Sequence, residues 1–366
     1  MNFTAFDHQC MATALQLARL GLKTTHPNPR VGCLIAVNGE VVGSGWHKKA
    51  GEGHAEINAL LDAGDKAAGG TAYVTLEPCS HSGRTPPCVD ALINAKIARV
   101  VCAMKDPNPA VNGGGIQKLQ QAGIEVQSGL MTAEAEELNA GFLMRMRQQR
   151  PWVRVKLAQS MDGHVALANG SRPWISGPQA RADVQDWRAR SDVILTGVGT
   201  VLADNPSLNV RNNDNARQPL RVIVDSHWRT PANAGLLSLP GAVLIAGLRD
   251  VPVPAELAGS VAECMPFAAE DGRVSLPAVL SELGKRGLNE IQVEAGATLC
   301  GALVHQGLVD EVLIYQAPII LGGAAVSPFA TPRLDNMEDR VHLKWIDSRR
   351  IGQDLRLRLK PVYRKD

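Results

Sequence analysis

Four residues in the first third of the chain have types and spacing that could do chemistry. They are His54 and Glu56 in a His-Ala-Glu triplet, Cys79 after Pro78, and Cys88 after Pro86 and Pro87. The two thiols have eight residues between them, with proline at both ends of the segment. A disulfide, a metal site and a pair of ordinary buried thiols are the open readings. Seven scattered cysteines, at 10, 33, 79, 88, 102, 264 and 300, and an N-terminus without a secretory leader argue against the disulfide. Zinc favours imidazole and thiolate, and a catalytic zinc keeps three protein ligands and one open position. His54, Cys79 and Cys88 supply that set, with His81 as a fourth ligand the alternative that would close the site. Glu56 lies two residues from His54 at a helix start, where a carboxylate can carry a proton from a metal-acidified water to a leaving amine.

The order His-x-Glu, Pro-Cys, Cys is that of zinc deaminases, in which two residues usually separate the thiols. Here the longer segment SHSGRTPP must loop back to the ion, and its prolines limit the loop's freedom. It also carries His81 and Arg84 beside the metal, which suits a substrate larger than a nucleoside, with a phosphate for Arg84.

Alternating helix and strand signals must position these groups. VGCLIAV and EVVGSGW flank Asn38-Gly39, a hairpin turn. Helices are expected at 54–64, 88–95 and 113–123, strands at 71–77 and 99–104, a short strand at Ile124–Gln127, and one helix over 132–150, acidic at its start and basic at its end. The N-terminus reads as an amphipathic helix with Met11, Leu15, Ala18 and Leu22 on one face. Arg150-Pro151 breaks the pattern, which gives domains at 1–150 and 151–366. In the second, strands are expected at 152–158, 192–196, 220–225, 242–246, 289–294 and 309–316, helices near 178–189, 198–203, 275–286 and 297–306, and antiparallel alternation over 341–360. Residues 205–219 and 248–274 read as loops.

The 366 residues are 45% hydrophobic and 20% charged, enough for two cores. A net charge of +2 disfavours nucleic acid or an anionic membrane as the main partner. No apolar run is long enough to span a bilayer. With the cysteine usage, this gives a cytoplasmic protein acting on small molecules; a homo-oligomer is compatible with it.

THPNPRVGCLI, GSGWHKKAGEGHAE, VTLEPCSHSGRTPPC and KDPNP resemble the deaminase half of the bifunctional riboflavin-biosynthesis deaminase–reductase family. VKLAQSMDG, ILTGVGTVLADNPSLNVR, RVIVDS and VEAGATLCGALVHQGLVDE resemble its reductase half, in the same order along the chain. The resemblance implies an N-terminal cytidine-deaminase-like three-layer α/β/α domain holding one Zn2+. It further implies a C-terminal dihydrofolate-reductase-like α/β domain using NADPH. The expected reactions are hydrolytic deamination of a diaminopyrimidinone ribosyl phosphate and reduction of the product's ribosyl chain to the ribityl form.

By residue, the resemblance sets Asn28, His47, His81 and Arg84 against the deaminase substrate. It sets NADPH against Ala158, Trp174, Thr200, Asp204, Ser226 and the turn Gly296, Ala297, Thr298, Leu299, Cys300, Gly301 and Ala302. Arg172, Arg188, Leu208, Arg211 and Glu294 go to the reductase substrate, with Arg172 standing where the family often has serine. Lys156, on the first strand of this half, is a candidate for a catalytic or orienting role. The residues alone say less. There is no Gly-x-Gly-x-x-Gly, and the strand-to-helix turns at Gly197–Gly199 and Gly296 are either phosphate sites or simple turns.

Two rivals stand beside this reading. One is a deaminase acting on RNA, with 151–366 as a binding module. Its only basic cluster is Arg145, Arg147 and Arg150, which a helix C-terminus explains. The other is a zinc-stabilised scaffold, which leaves Glu56 without a task.

Overall fold

The computed structural model describes residues 3–80, 87–108, 113–169, 174–211 and 217–364. The chain divides into two compact units, Met1–Gln149 and Arg150–Asp366.

The first unit is built on strands β1 (Gly32–Val37), β2 (Glu40–Trp46), β3 (Thr71–Val74), β4 (Arg99–Cys102) and β5 (Glu125–Ser128), in the order β2-β1-β3-β4-β5. The hairpin β1–β2 turns at Asn38 and Gly39, with φ of 50° and 83°. Such a turn needs left-handed backbone at both residues. β1 also pairs antiparallel with β3, and β3, β4 and β5 run parallel. Helices α1 (Ala5–Arg19), α2 (Ala55–Ala63), α3 (Cys88–Asn94), α4 (Gly114–Gln121), α5 (Thr132–Leu138) and α6 (Ala140–Gln148) pack around this sheet. Met11, Leu15 and Ala18 of α1 are buried, whereas Leu22 lies past the helix end.

α2 lies hard against β2. A Cβ on Gly45 would come within 2.4 Å of Ala59 N and 2.5 Å of Ala55 O, so only glycine permits the approach. That contact seats the helix start carrying His54 and Glu56.

The helix expected over 132–150 is two helices, and the break has a tertiary cause. Buried Asn139 accepts from Arg30 N at 2.8 Å and donates to Arg30 O at 2.9 Å. The Arg30 guanidinium donates to Leu138 O, a carbonyl that a continuous helix would have used itself. The 27–30 turn is thereby pinned to the α5–α6 junction.

The second unit holds β6 (Trp152–Gln159), β7 (Val193–Gly197), β8 (Leu220–Val224), β9 (Val243–Leu248), β10 (Glu263–Phe267), β11 (Ala269–Glu270), β12 (Arg273–Val274), β13 (Glu290–Val293), β14 (Glu311–Gln316), β15 (His342–Ile351) and β16 (Asp354–Val362). Its helices are α7 (Pro178–Arg190), α8 (Val198–Asp204), α9 (Ala255–Ala258), α10 (Leu276–Lys285) and α11 (Ala297–His305). Nine strands form one sheet, β10-β9-β8-β7-β13-β6-β14-β16-β15. It is parallel from β10 to β14 and antiparallel through the C-terminal hairpin.

β10 falls inside the expected 248–274 loop. It contains Pro266 and forms the sheet edge, the one place in a sheet where a missing N–H costs little. The chain passes from β6 to β7 and outward to β10, then returns to insert β13 between β7 and β6. Such a switch leaves a crevice beyond the strands' carboxyl ends, where open α/β sheets bind ligands.

Near the amino ends of β6, β13 and β14 lies a buried charge lattice. Arg154 pairs with Glu290 at 3.3 Å and Glu311 at 3.0 Å, and Arg358 pairs with Glu311 at 2.7 Å. The Arg154 guanidinium lies 4.4 Å from the Trp187 ring centroid. Every charge in it meets an opposite one, which interior burial demands.

Candidate active sites

His54 is the N-cap residue of α2, and Glu56 lies in that helix's first turn. Cys79 follows β3 and Cys88 opens α3. His54 Nδ1 is 3.2 Å from Cys88 Sγ and 3.5 Å from Cys79 Sγ, and the three donor atoms lie within 4.8 Å of one another. All seven cysteines are free thiols. The donor set and spacing fit one zinc ion with room for a fourth ligand. The Cys88 thiol donates to Cys79, and His54 adds to the effect, so Cys79 is the sulfur that ionises first. A divalent cation would strip the proton from both.

Glu56 is buried, 3% exposed. Burial pushes its carboxyl up to about 7, the neighbouring Cys79 charge adds to this, and its own backbone N–H opposes it. A carboxyl tuned to that range can both take and give a proton.

His47 and Asn28 stand together. The Asn28 amide nitrogen is 3.1 Å from His47 Nε2, and His47 Nδ1 is 3.2 Å from Gly53 O. A carbonyl only accepts, so His47 carries its proton on Nδ1 and takes Asn28's N–H on Nε2. Burial lowers the His47 pKa and keeps this neutral form. The ring meets His54 edge-on, centroids 5.2 Å apart. His81 and Arg84 lie outside the described residues.

Asn28, His47, His54, Glu56 and Cys79 line a cavity of about 470 Å3, together with Asp106, Asn108, Phe142 and Arg145. Sequence reasoning missed its organiser, Glu77. That buried carboxylate accepts the N–H groups of Asp106, Gly113, Gly115 and Ile116 at 3.0–3.2 Å. It thus ties the loop before α4, and α4's first turn, to the strand end that carries Cys79. Gly115 is part of the device, because a Cβ there would sit 2.0 Å from Pro78 O. An acid ending the apolar run TAYVTLE was the available signal.

The second unit's crevice encloses about 650 Å3. Ala158, Trp174, Thr200, Asp204, Gly296 and Ala297 line it, as do Lys156, Arg188, Leu208, Arg211 and Glu294. Gly296 caps α11 and donates its N–H to Thr200 Oγ1 at 3.1 Å, so two strand-to-helix turns meet at one wall. The remaining NADPH candidates are not on that wall. Ser226 accepts Val274 N at 3.1 Å, and Gly301 packs on the Ala330 backbone. Thr298, Leu299, Cys300 and Ala302 continue α11, with Cys300 Sγ directed to Ala295 O at 3.4 Å. Arg172 lies outside the described residues. The crevice at the sheet's switch point and the α11 N-terminus fit a dinucleotide's phosphates.

Arg188 and Glu294 make a two-point pair, Nε–Oε1 2.7 Å and Nη2–Oε2 2.8 Å. Gln292 adds an N–H to Glu294 Oε1 at 2.8 Å. Burial would raise the Glu294 pKa, but Arg188 and then Lys156 outweigh it and hold it at about 2. Burial lowers the Lys156 pKa, with Glu294 opposing. Leu208 is buried at φ 46°, left-handed backbone that a leucine rarely takes.

Fold and sites together define a zinc-type deaminase unit joined to a dinucleotide-dependent reductase unit. Residues 4–104 match the cytidine and deoxycytidylate deaminase zinc-binding region, and residues 151–357 match the RibD C-terminal domain. The Escherichia coli (strain K12) riboflavin biosynthesis protein RibD is 48% identical over 96% of this chain and 99% of the relative. An Acinetobacter baumannii RibD structure superposes with a TM-score of 0.90 at 43% identity, covering 98% of this chain and 99% of the other. A Thermotoga maritima structure described as a diaminohydroxyphosphoribosylaminopyrimidine deaminase/5-amino-6-(5-phosphoribosylamino)uracil reductase gives 0.86 at 29% identity, covering 98% and 99%.

The chain belongs to the RibD family of bifunctional riboflavin-biosynthesis deaminase–reductases. Its deaminase half is zinc-binding and its reductase half NADPH-dependent. Among the described residues, no helix is long and apolar enough to cross a membrane.

Proposed function

We infer that the first unit hydrolyses the ring amine of diaminohydroxyphosphoribosylaminopyrimidine, and that the second reduces the resulting 5-amino-6-(5-phosphoribosylamino)uracil to its ribityl form. One observation carries the first half: a buried carboxylate, Glu56, lines the same cavity as His54 and Cys79, two members of the cluster that Cys88 completes. Zinc held by those three supplies the Lewis acidity that makes a water nucleophilic near neutral pH. Glu56 takes the proton this water loses as its oxygen bonds to the amine-bearing carbon. It then gives a proton to the departing nitrogen, which leaves as ammonia, so no electrons are exchanged.

Asn28 and neutral His47 hold the pyrimidine edge, and the resemblance adds His81 and Arg84 toward the ribose phosphate. In the second unit Ala158, Trp174, Thr200, Asp204, Gly296 and Ala297, which line the crevice, are assigned to NADPH, and the resemblance adds Ser226 and the rest of the turn to Ala302. Lys156, Arg172, Leu208, Arg211 and the Arg188–Glu294 pair are assigned to the ribosyl substrate. The cofactor supplies the hydride; the chain's work is to hold both partners in the crevice and exclude water.

The RNA-directed rival finds no support in the net charge of +2. Seven cysteines, all free thiols, fit a reducing compartment such as the cytoplasm. Chelation tests the assignment. Removing zinc should stop NADPH consumption on the diaminopyrimidine but not on the pre-deaminated uracil. Equal loss on both would defeat the division of labour between the units.

A further inference from the structure

We propose that Arg181 recognises a phosphate monoester on the wall of the reductase crevice and so helps to select what that unit binds. The inference rests on the reductase reading above and adds a residue to that site.

Both ligands of this crevice carry a phosphate monoester, the ribosyl substrate on its sugar and NADPH on its adenosine ribose. Such a group holds about −1.5 to −2 charges near neutral pH and needs cationic donors once removed from bulk water. Among the described residues lining the crevice, the lysines and arginines are Lys156, Arg181, Arg188 and Arg211. Two of them already answer to Glu294. Arg188 donates to both Glu294 oxygens and to Asn209 O, and the same carboxylate's charge supports the Lys156 ammonium.

Arg181 has different partners. Its Nη1 donates to Ser176 O at 2.6 Å, and its guanidinium carbon lies 5.0 Å from the Trp174 ring centroid. Among the described residues, no carboxylate pairs with it. One N–H of five is spent on the protein, so the planar fork keeps donors for a phosphate. α7 presents Arg181, Gln185 and Arg188 at i, i+4 and i+7, a single stripe that lines the crevice. Gln185 Oε1 accepts Arg211 N at 3.0 Å, which holds the second arginine's backbone to that stripe. Trp174, Arg181, Gln185 and Arg211 also line a recess of about 270 Å3, and its described lining includes no carboxylate.

Two structural explanations of this arginine fall short. Arg181 is the fourth residue of α7, and a cation in the first turn of a helix works against the macrodipole. That turn holds no acid to offset it, so helix stability does not account for the charge. Stacking on Trp174 accounts for where the guanidinium lies. That indole is 77% exposed, however, and an exposed cation–ring contact contributes little. The ribosyl phosphate is the expected source of the phosphate. Arg188, on the same stripe, and Arg211, beside the recess, are both assigned to that substrate.

The test is steady-state oxidation of the reduced cofactor by the full-length chain. The substrates are the pre-deaminated ribosyl pyrimidine and its dephosphorylated counterpart, each with NADPH and with NADH. Arg181→Met keeps an unbranched stem over Trp174, Arg181→Lys keeps the charge without the fork, and a thermal melt checks folding. Arg181→Met should raise KM for the phosphorylated substrate roughly ten- to a hundredfold, the range of a charge-assisted contact. KM for the dephosphorylated substrate and the preference for NADPH over NADH should hardly move, and Arg181→Lys should recover part of the loss. If Arg181→Met does not fold, the phosphate-dependent loss is read from Arg181→Lys alone. A loss confined to the preference for NADPH over NADH would uphold the phosphate contact and make the cofactor its source. Equal changes with and without the phosphate, or no change at all, would overturn the inference, while wild-type NADPH oxidation still upheld the reductase reading. Absence of NADPH oxidation by the wild-type chain on the pre-deaminated substrate would overturn both.

Discussion

Replacing Glu294 by glutamine keeps the side chain's shape and removes its charge. The partner left behind is Arg188, and the pair's side chains are only 10% and 12% exposed. Two routes give the cost. The Glu294 carboxyl sits at about 2 against an ordinary 4.5, because Arg188 and Lys156 outweigh the burial that would raise it. That displacement corresponds to about 3 kcal/mol. Breaking a buried pair from one side typically costs about 3–5 kcal/mol, since the orphaned charge stays buried. We therefore expect Glu294→Gln to lower the unfolding free energy of the second unit by about 3 kcal/mol. Urea denaturation reads this, with the unit's transition identified as the one NADPH shifts. Arg188→Met combined with Glu294→Gln should recover much of the loss, because no charge remains unpaired. A loss below about 1 kcal/mol would place the pair among solvent-screened surface bridges and refute the reasoning. So would strict additivity of the two substitutions.

Metal analysis of Cys88→Ser should find zinc well below one ion per chain, and wild-type content would remove Cys88 from the ligand set. Glu56→Gln should retain zinc and lose ammonia release by about 10²–10⁴-fold, the share of a general acid–base group, and near-normal release would reject the proton-carrier role. Acid should destabilise the second unit. For Glu311, burial raises the pKa but Arg154 and Arg358 outweigh it, so it joins Glu294 at about 2 against an ordinary 4.5. Depressed carboxyls stabilise fully above the unfolded value and lose that contribution as pH falls toward the folded one. Urea midpoints for this unit should fall between pH 4.5 and 2, and flat midpoints across that window would contradict the pairing.

Short-range signals made much of the fold legible. Asn38-Gly39 names its turn by backbone chemistry alone, and His-Ala-Glu needs only a helix start to bring ligand and carboxylate together. What stayed hidden depends on contacts distant in sequence. The break at Asn139 answers to Arg30, 109 residues away. Glu77 spends its oxygens on backbone 29–39 residues downstream. Pro266 masks β10 because a sequence does not announce which strand will be the edge. Arg154, Glu290 and Glu311 disguise core positions as surface ones, since their charges cancel only once β6, β13 and β14 are assembled. The family motifs pointed to the whole Gly296–Ala302 turn, of which Gly296 and Ala297 line the crevice.

The most direct test of the central claim is the mass of the products made from the diaminopyrimidine ribosyl phosphate by the zinc-loaded chain, with and without NADPH. Without NADPH, the substrate should exchange one ring amine for oxygen, drawn from water when the solvent carries heavy oxygen, and the ribosyl chain should stay unreduced. With NADPH, the same product should gain two hydrogens on the ribosyl chain. Reduction of a substrate that still holds both amines, with no deaminated product formed under either condition, would contradict the account.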